Sequence, residues 1–237
     1  MVRLLNFSDH HMTRSQMLCT ESAFKYGAGQ VFQYGPEHIG KEFLEFNKEI
    51  LSAERGAGYW LWKPYLIWRS LEFCKPDDIL VYCDSGVEII TDLNEVVKEM
   101  DQDIFLFTSG HLQREWCKAD IMEATVTEKA MASPFEQVQA SVIFFKITDF
   151  SLRFIKEWLL WCQMPGMIDD SPSVINNHET FREHRHDQAI LTCMAIKYGL
   201  TLHWWADKKW FENQRHRWPK DNYPSMFLHH RKRNNEY

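Results

Sequence analysis

The amino-acid sequence predicts an α/β fold: a mostly parallel central sheet flanked by helices, in one domain spanning 1–237. Three observations predict it. Short strand-like apolar runs alternate with segments of helical periodicity, the order that builds a parallel sheet with covering helices. One run, Asp78-Ile79-Leu80-Val81-Tyr82-Cys83, is apolar on both faces, as a strand covered on both sides is. The 237 residues, 45% apolar and 25% charged, can bury a sizeable core without disulfides or metals.

The elements follow in order. Val2–Phe7 reads as the first strand and Thr13–Tyr26 as a helix stopped by Gly27. Gln30–Tyr34 is a short second strand. Ile39, Phe43, Phe46 and Ile50 recur at helical spacing and predict one amphipathic helix. After the glycine-bearing loop Glu54–Gly58, Pro64 stands where a first-turn proline belongs, and the helix continues over Tyr65–Phe73. Asp78–Cys83 is the buried strand, followed by a short helix, Asp92–Met100, capped by Thr91 or Asp92. Strands are expected at Asp103–Thr108 and Ser141–Lys146, and a helix at Phe150–Cys162. Met164–Asn177 reads as a long exposed loop of the kind that forms lids. A helix over Asp187–Tyr198 closes on Gly199, and Leu200–Trp204 is the last strand.

Composition narrows the function. A net charge of -6 argues against general nucleic-acid or membrane-surface binding. Ten Trp provide either a heavy core or surfaces on which sugars and bases stack. The cysteines at 19, 74, 83, 117, 162 and 193 contain no C-x-x-C pair, which fits a reducing compartment. Met1–His11 carries no secretory h-region, and no apolar run approaches the ~20 residues of a membrane span, so a cytoplasmic protein without a transmembrane segment is expected. Lys208–Arg233 holds eight Lys/Arg against two acids, leaving the rest of the chain acidic; such a segment suits diphosphate binding.

In open α/β sheets, ligands bind beyond the carboxyl ends of the strands. Asp84 stands there, and Ser85-Gly86 lets the backbone turn towards a ligand. A carboxylate in that place can hold a divalent metal against a diphosphate, bind a ribose hydroxyl, or simply cap the turn. Lys63, at a helix start where the dipole disfavours a cation, is a candidate anion contact. Asp187, at another helix start, is favoured in its ionised form and is a candidate base.

The segment Ile79–Gly86 resembles the strand that carries the DxD signature of GT-A glycosyltransferases. Gly58-Tyr59-Trp60-Leu61-Trp62-Lys63-Pro64 resembles a donor-contacting block of small bacterial and viral members of that superfamily. His186-Asp187-Gln188 is similar to the Asp-Gln at a helix start in glycogenin-like transferases, and His229-His230-Arg231-Lys232-Arg233 to their metal-binding His and diphosphate cations. The matches run from Asn6 to Arg233. They imply a GT-A, Rossmann-like fold and a metal-assisted transferase moving a hexosyl or deoxyhexosyl group from a UDP- or GDP-linked nucleotide-sugar donor to a glycan or other hydroxyl acceptor. The resemblance places Phe7, Ser8, Lys63, Asp84, Ser85, Gly86, Ser141 and Arg231 around the donor, and the segment 208–237 closes its site. It gives Mn2+ or Mg2+ to Asp84, Glu88, His229 and His230, catalysis to Asp187 and Gln188, and the acceptor side to Trp116, Lys118 and Asp120. Gly86 departs from the motif by replacing its second Asp; Glu88, two residues on, takes that role if the chain stays extended. The altered motif leaves open a non-catalytic nucleotide-sugar- or glycan-binding module. His184-x-His186-Asp187, with His178 and His203, also allows a metallohydrolase reading.

Overall fold

The structure is a computed structural model that describes residues 1–126, 134–208 and 223–237. Its strands are β1 (Val2–Phe7), β2 (Gln30–Tyr34), β3 (Ile79–Cys83), β4 (Val87–Ile89), β5 (Ile104–Leu112), β6 (Glu136–Lys146), β7 (Leu202–His203) and β8 (Phe227–His229). Six of them form the central sheet in the order β2-β1-β3-β6-β5-β7, while β4 and β8 pair in a small antiparallel ribbon. The β1–β2, β1–β3 and β5–β7 ladders are parallel; β6 runs antiparallel to both neighbours. The mostly parallel sheet predicted from the sequence is therefore present.

Alternation along the strands builds two cores. Val2 and Leu4 of β1, with Ile79, Val81 and Cys83 of β3, face one layer; Leu5, Phe7, Leu80 and Tyr82 face the other. The first layer packs under helix α1 (Thr13–Lys25) and the Trp204–Trp205 pair, the second under the helices that frame the site. Asp84 continues the parity of Leu80 and Tyr82, so it emerges on the second face.

The predicted helix over 39–50 breaks into α2 (Lys41–Phe46) and α3 (Lys48–Leu51) at Asn47. The Asn47 amide donates to the Phe43 carbonyl at 2.9 Å, a local bond that competes with helix continuation, and Phe46 is left exposed. Residues Gly56–Tyr59 form a short turn, α4, before α5 (Trp62–Ser70). Then come α6 (Asn94–Glu99), α7 (Gln113–Trp116), α8 (Ala119–Thr125), α9 (Asp149–Gln163) and α10 (His186–Lys197). Thr148 caps α9, its hydroxyl accepting from the Ser151 N–H while the Ser151 hydroxyl accepts from the Thr148 N–H. Among the described residues, no helix is long and apolar enough to cross a membrane.

Candidate active site

A cleft of about 710 Å³ opens where β1, β3 and β6 meet the starts of α5 and α10. All the donor and catalytic residues expected from the sequence line it, namely Phe7, Ser8, Lys63, Asp84, Ser85, Gly86, Ser141, Asp187, Gln188 and Arg231, and so does His229, one of the expected metal ligands.

Lys63 is the hub. Its side chain is 4% exposed, and its ammonium lies 2.9 Å from Asp187 Oδ2, 3.7 Å from Asp84 Oδ1 and 3.2 Å from the Ala140 carbonyl. Burial opposes its charge, but Asp187 and Asp84 outweigh that and hold its pKa above the ordinary lysine value. Asp187 is also buried, and burial pushes its carboxyl up to about 6 against the pull of Lys63. The Tyr82 hydroxyl donates to Asp84 Oδ1 at 2.5 Å; burial and then Asp84 raise the phenol well above its usual value, keeping it a donor. Both neighbours approach Oδ1, which leaves Oδ2 of Asp84 available to a ligand. The Ser141 hydroxyl, 4% exposed, has no hydrogen-bond partner.

Gln188 is the first member of a buried amide chain. Its Nε2 donates to Gln137 Oε1 at 2.6 Å, Gln137 donates to Gln113 Oε1 at 3.0 Å, and Gln113 donates to the Ala189 carbonyl at 2.8 Å. Its Oε1 accepts from the Ala140 N–H at 3.3 Å. These bonds orient Gln188 and tie α10 to β6. The chain was not legible in advance, because three glutamines spread over 76 positions carry no local signal.

Two assigned metal ligands lie elsewhere. The Val87 N–H donates to the Asp84 carbonyl at 3.1 Å, so the backbone turns after Asp84 instead of staying extended. In β4, Val87 and Ile89 point into the core; Glu88, on the alternate face, does not line the cleft. His230 does not line it either, and its Nδ1 accepts from the Lys232 N–H at 3.1 Å. His229 does line it; burial and then Arg231 lower its pKa, so Nε2 holds a lone pair, approached by Arg231 Nε at 3.2 Å. Among the described residues, no three His, Cys, Asp or Glu side chains gather as a cage. Of the four residues assigned to a metal, Asp84 and His229 are the two that line the cleft.

Gly86 has a spatial reason. Its carbonyl accepts from the N–H groups of His230 and Arg231, both at 3.0 Å, and a Cβ there would stand 3.0 Å from Arg231 Cα. The C-terminal backbone occupies the place of the motif's second side chain. Arg231 and Arg233 thereby reach the cleft; Lys209, Arg215, Arg217 and Lys220 of the basic segment lie outside the described residues.

The residues expected on the acceptor side hold the chain together instead. Lys118 is buried, its ammonium ringed by oxygens: the Asp169 carbonyl at 3.1 Å, the Ser171 carbonyl and hydroxyl at 3.2 Å, and the Gly166 carbonyl. The Asp120 carboxylate accepts from the N–H groups of Val174 and Ile175. Trp116 stacks under Arg185, 4.4 Å away, and its carbonyl accepts from the Arg185 N–H. The loop after α9 is thus fastened to the start of α8. His184 and His186 lie with their rings 5.4 Å apart, but each donates to a loop carbonyl, of Met167 and of Ile168, and His203 stacks on Phe105 at 3.7 Å, so no three histidines of the hydrolase reading gather among the described residues.

Two solved structures share the architecture. Mouse xyloside xylosyltransferase 1, in its apo form, superposes with a TM-score of 0.53 over 100% of this chain and 99% of its own, at 10% identity. The apo structure of the bifunctional glycosyltransferase WbbM gives 0.55 over 98% of this chain, at 13% identity; the chain spans 46% of WbbM. No family model matches the sequence, and no curated protein matches it. In fold, the chain is of the GT-A type.

Proposed function

We propose that the chain is a glycosyltransferase that moves a hexosyl or deoxyhexosyl group from a UDP- or GDP-linked sugar to a hydroxyl acceptor. The observation that carries the reading is the convergence of Lys63, Asp84 and Asp187 in one cleft at the carboxyl ends of the strands, with Arg231 brought in by the C-terminal segment. Such a cleft answers the two needs of glycosyl transfer. Lys63 and Arg231 counter the charge that develops on the leaving diphosphate. Asp187, titrating at about 6, is a carboxylate at neutral pH and receives the acceptor's proton as its oxygen bonds to the anomeric carbon and the bond to phosphate breaks. Phe7 and Ser8, at the end of β1, face the nucleoside. Asp84 and His229 hold Mn2+ or Mg2+, which when bound supplies positive charge to the diphosphate. All six cysteines are free thiols, in keeping with a reducing, cytoplasmic setting.

The test is release of nucleotide from UDP- and GDP-sugars with Mn2+ and a mixture of glycans. Asp84→Ala is expected to abolish release while the fold, followed by circular dichroism, survives. Full activity in Asp84→Ala overturns the reading. Calorimetric binding of a nucleotide sugar without turnover supports the binding module instead.

A further inference from the structure

One wall of the cleft is left-handed backbone. Residues Gly56, Ala57, Gly58, Tyr59 and Trp60 have φ of 59°, 50°, 93°, 52° and 60°, and His186 opposite them has φ 50°. Each non-glycine residue in that region costs about 1–2 kcal/mol, and such conformations concentrate at binding and catalytic sites. They bring the rings of Tyr59 and Trp60 to 5.0 and 5.3 Å from the His186 ring.

His186 is 2% exposed. Its Nδ1 donates to the Ile168 carbonyl at 2.8 Å, so Nε2 carries the lone pair, and that atom has no hydrogen-bond partner. Burial lowers the imidazole's pKa and keeps it neutral. Asp170 is not among the residues that line the cleft; its half-exposed carboxylate stands behind that wall, with Oδ1 3.8 Å from Nε2. Two acceptors thus face each other with no hydrogen between them. A ligand that brings two donors on neighbouring atoms satisfies both, as a vicinal diol does, and the apolar C–H face of a pyranose suits an indole ring beside it. The cations around this wall are paired. Arg55 pairs with Asp170 and Glu183, both at 3.4 Å, and Arg185 with Glu183 at 2.9 Å. These two cations are matched by two carboxylates, and Glu54, which also lines the cleft, adds a third, an environment that disfavours an anionic ligand.

We propose that Trp60, His186 and Asp170 form the acceptor subsite, built for a neutral sugar whose vicinal diol bonds to the imidazole and the carboxylate. The proposal rests on the transferase reading for the use of the bound sugar, and its test is independent of turnover. The indole and imidazole NMR signals of the full chain are followed while methyl glucoside, methyl galactoside and methyl mannoside are added without nucleotide. At least one is expected to shift the Trp60 and His186 signals. Its monodeoxy analogues at either diol position bind about tenfold more weakly, which tests the unaltered protein. His186→Asn, which tolerates left-handed backbone and keeps an N–H for Ile168, weakens the glycoside about tenfold. The matching uronic acid and sugar phosphate bind more weakly than the neutral parent. The proposal is overturned by no shift with any neutral glycoside, by equal affinity in His186→Asn, or by tighter binding of the charged sugars. A parallel titration with UDP- and GDP-sugars separates the two readings: glycoside binding alone retains the subsite and removes the donor site, and nucleotide-sugar binding alone does the reverse.

Discussion

The chemistry of the cleft is concentrated in a buried Lys63–Asp187 pair whose two members both lose their contribution to stability as pH rises, in separate pH ranges. Asp187 titrates at about 6 in the folded protein, above the ordinary carboxylate value, so its protonated form is favoured by folding. Its contribution to stability is present at low pH and is lost as pH rises from the ordinary aspartate range through 6. Lys63 is raised, so its contribution is held at neutral pH and lost only in the alkaline range, as pH climbs through the folded-state pKa. Catalysis by Asp187 requires the ionised form, so kcat/KM is expected to rise with pH with an inflection near 6. In Lys63→Met that inflection moves upward, because the cation that favours the carboxylate is gone. The same variant loses stability by about 3–5 kcal/mol at neutral pH and less at pH 5, where Asp187 protonates. A pH-rate profile and urea melts at the two pH values check both; an unmoved inflection removes Asp187 as the base. Gly86 gives a second residue-level expectation. Gly86→Asp restores the motif's missing carboxylate, yet a Cβ there meets Arg231 Cα at 3.0 Å, so the substitution displaces the C-terminal segment that carries His229 and Arg231. Overpacking of this kind costs about 1–3 kcal/mol. Affinity for the nucleotide sugar is expected to fall, measured by calorimetry; a gain would mean that the C-terminal backbone does not occupy that space in solution.

At the scale of elements, the turn over Gly56–Tyr59 sets the position of Lys63 and Trp60. Hydrogen bonds hold its left-handed path: the Gly58 N–H to the Ala53 carbonyl at 2.8 Å, and Trp62 Nε1 to the Gly56 carbonyl at 3.0 Å. Gly58 lies at φ 93°, and a Cβ on it would meet Leu51 Cα at 2.7 Å. Gly58→Ala is expected to destabilise by about 2–5 kcal/mol, the sum of the left-handed penalty and the collision. Gly199→Ala, also left-handed at φ 64° but with nothing within 4 Å, costs only about 1–2 kcal/mol and leaves activity as it was. Urea denaturation of the two variants separates space from conformation; equal losses would mean that the Leu51 contact does not matter. The glycines of this loop were readable in the sequence, but their left-handed run was not, because Ala57, Tyr59 and Trp60 are not residues that announce it. The same limit holds elsewhere. Strands β1, β2 and β3 and the helix at Asp187 were legible because apolar runs and glycine stops mark them. The start of β6 at Glu136, five residues before the expected Ser141, was hidden by its polar residues, and its antiparallel course is a tertiary pairing that no local pattern encodes. Asp84, Lys63 and Asp187 were singled out by topology and resemblance, and the fold brings them together. Glu88 was misplaced because the turn after Asp84 changes the parity, and Lys118 because a buried ammonium caged by carbonyls looks like any other lysine in sequence.

At the scale of the whole molecule, the cleft is completed by joining the two ends of the chain. Asn234 donates from Nδ2 to the His10 carbonyl at 2.8 Å and to the Thr13 hydroxyl at 2.9 Å, and its Oδ1 accepts from the Arg14 N–H at 2.9 Å, capping α1 from 220 residues away. Its own N–H reaches the His11 carbonyl at 2.9 Å. On the other side of the same segment, the N–H groups of His230 and Arg231 hold Gly86. The segment therefore bridges the start of α1 and the turn after Asp84, and it presents Arg231 and Arg233 to the cleft between those two anchors. Both cores of the sheet are complete without Asn234, which contributes no apolar surface to either. Asn234→Ala removes three side-chain hydrogen bonds at a half-buried position, each with a net value of about 0.5–1.5 kcal/mol. The expected outcome is a loss confined to the segment. Thermal stability of the fold changes little, hydrogen exchange of the amides at 230–236 accelerates, and the dissociation constant for the nucleotide sugar rises about five- to tenfold, because the arginines are no longer held in place before the ligand arrives. Calorimetry and exchange on the same sample test the coupling, and accelerated exchange with unchanged affinity would mean that the donor pocket organises the segment rather than the reverse.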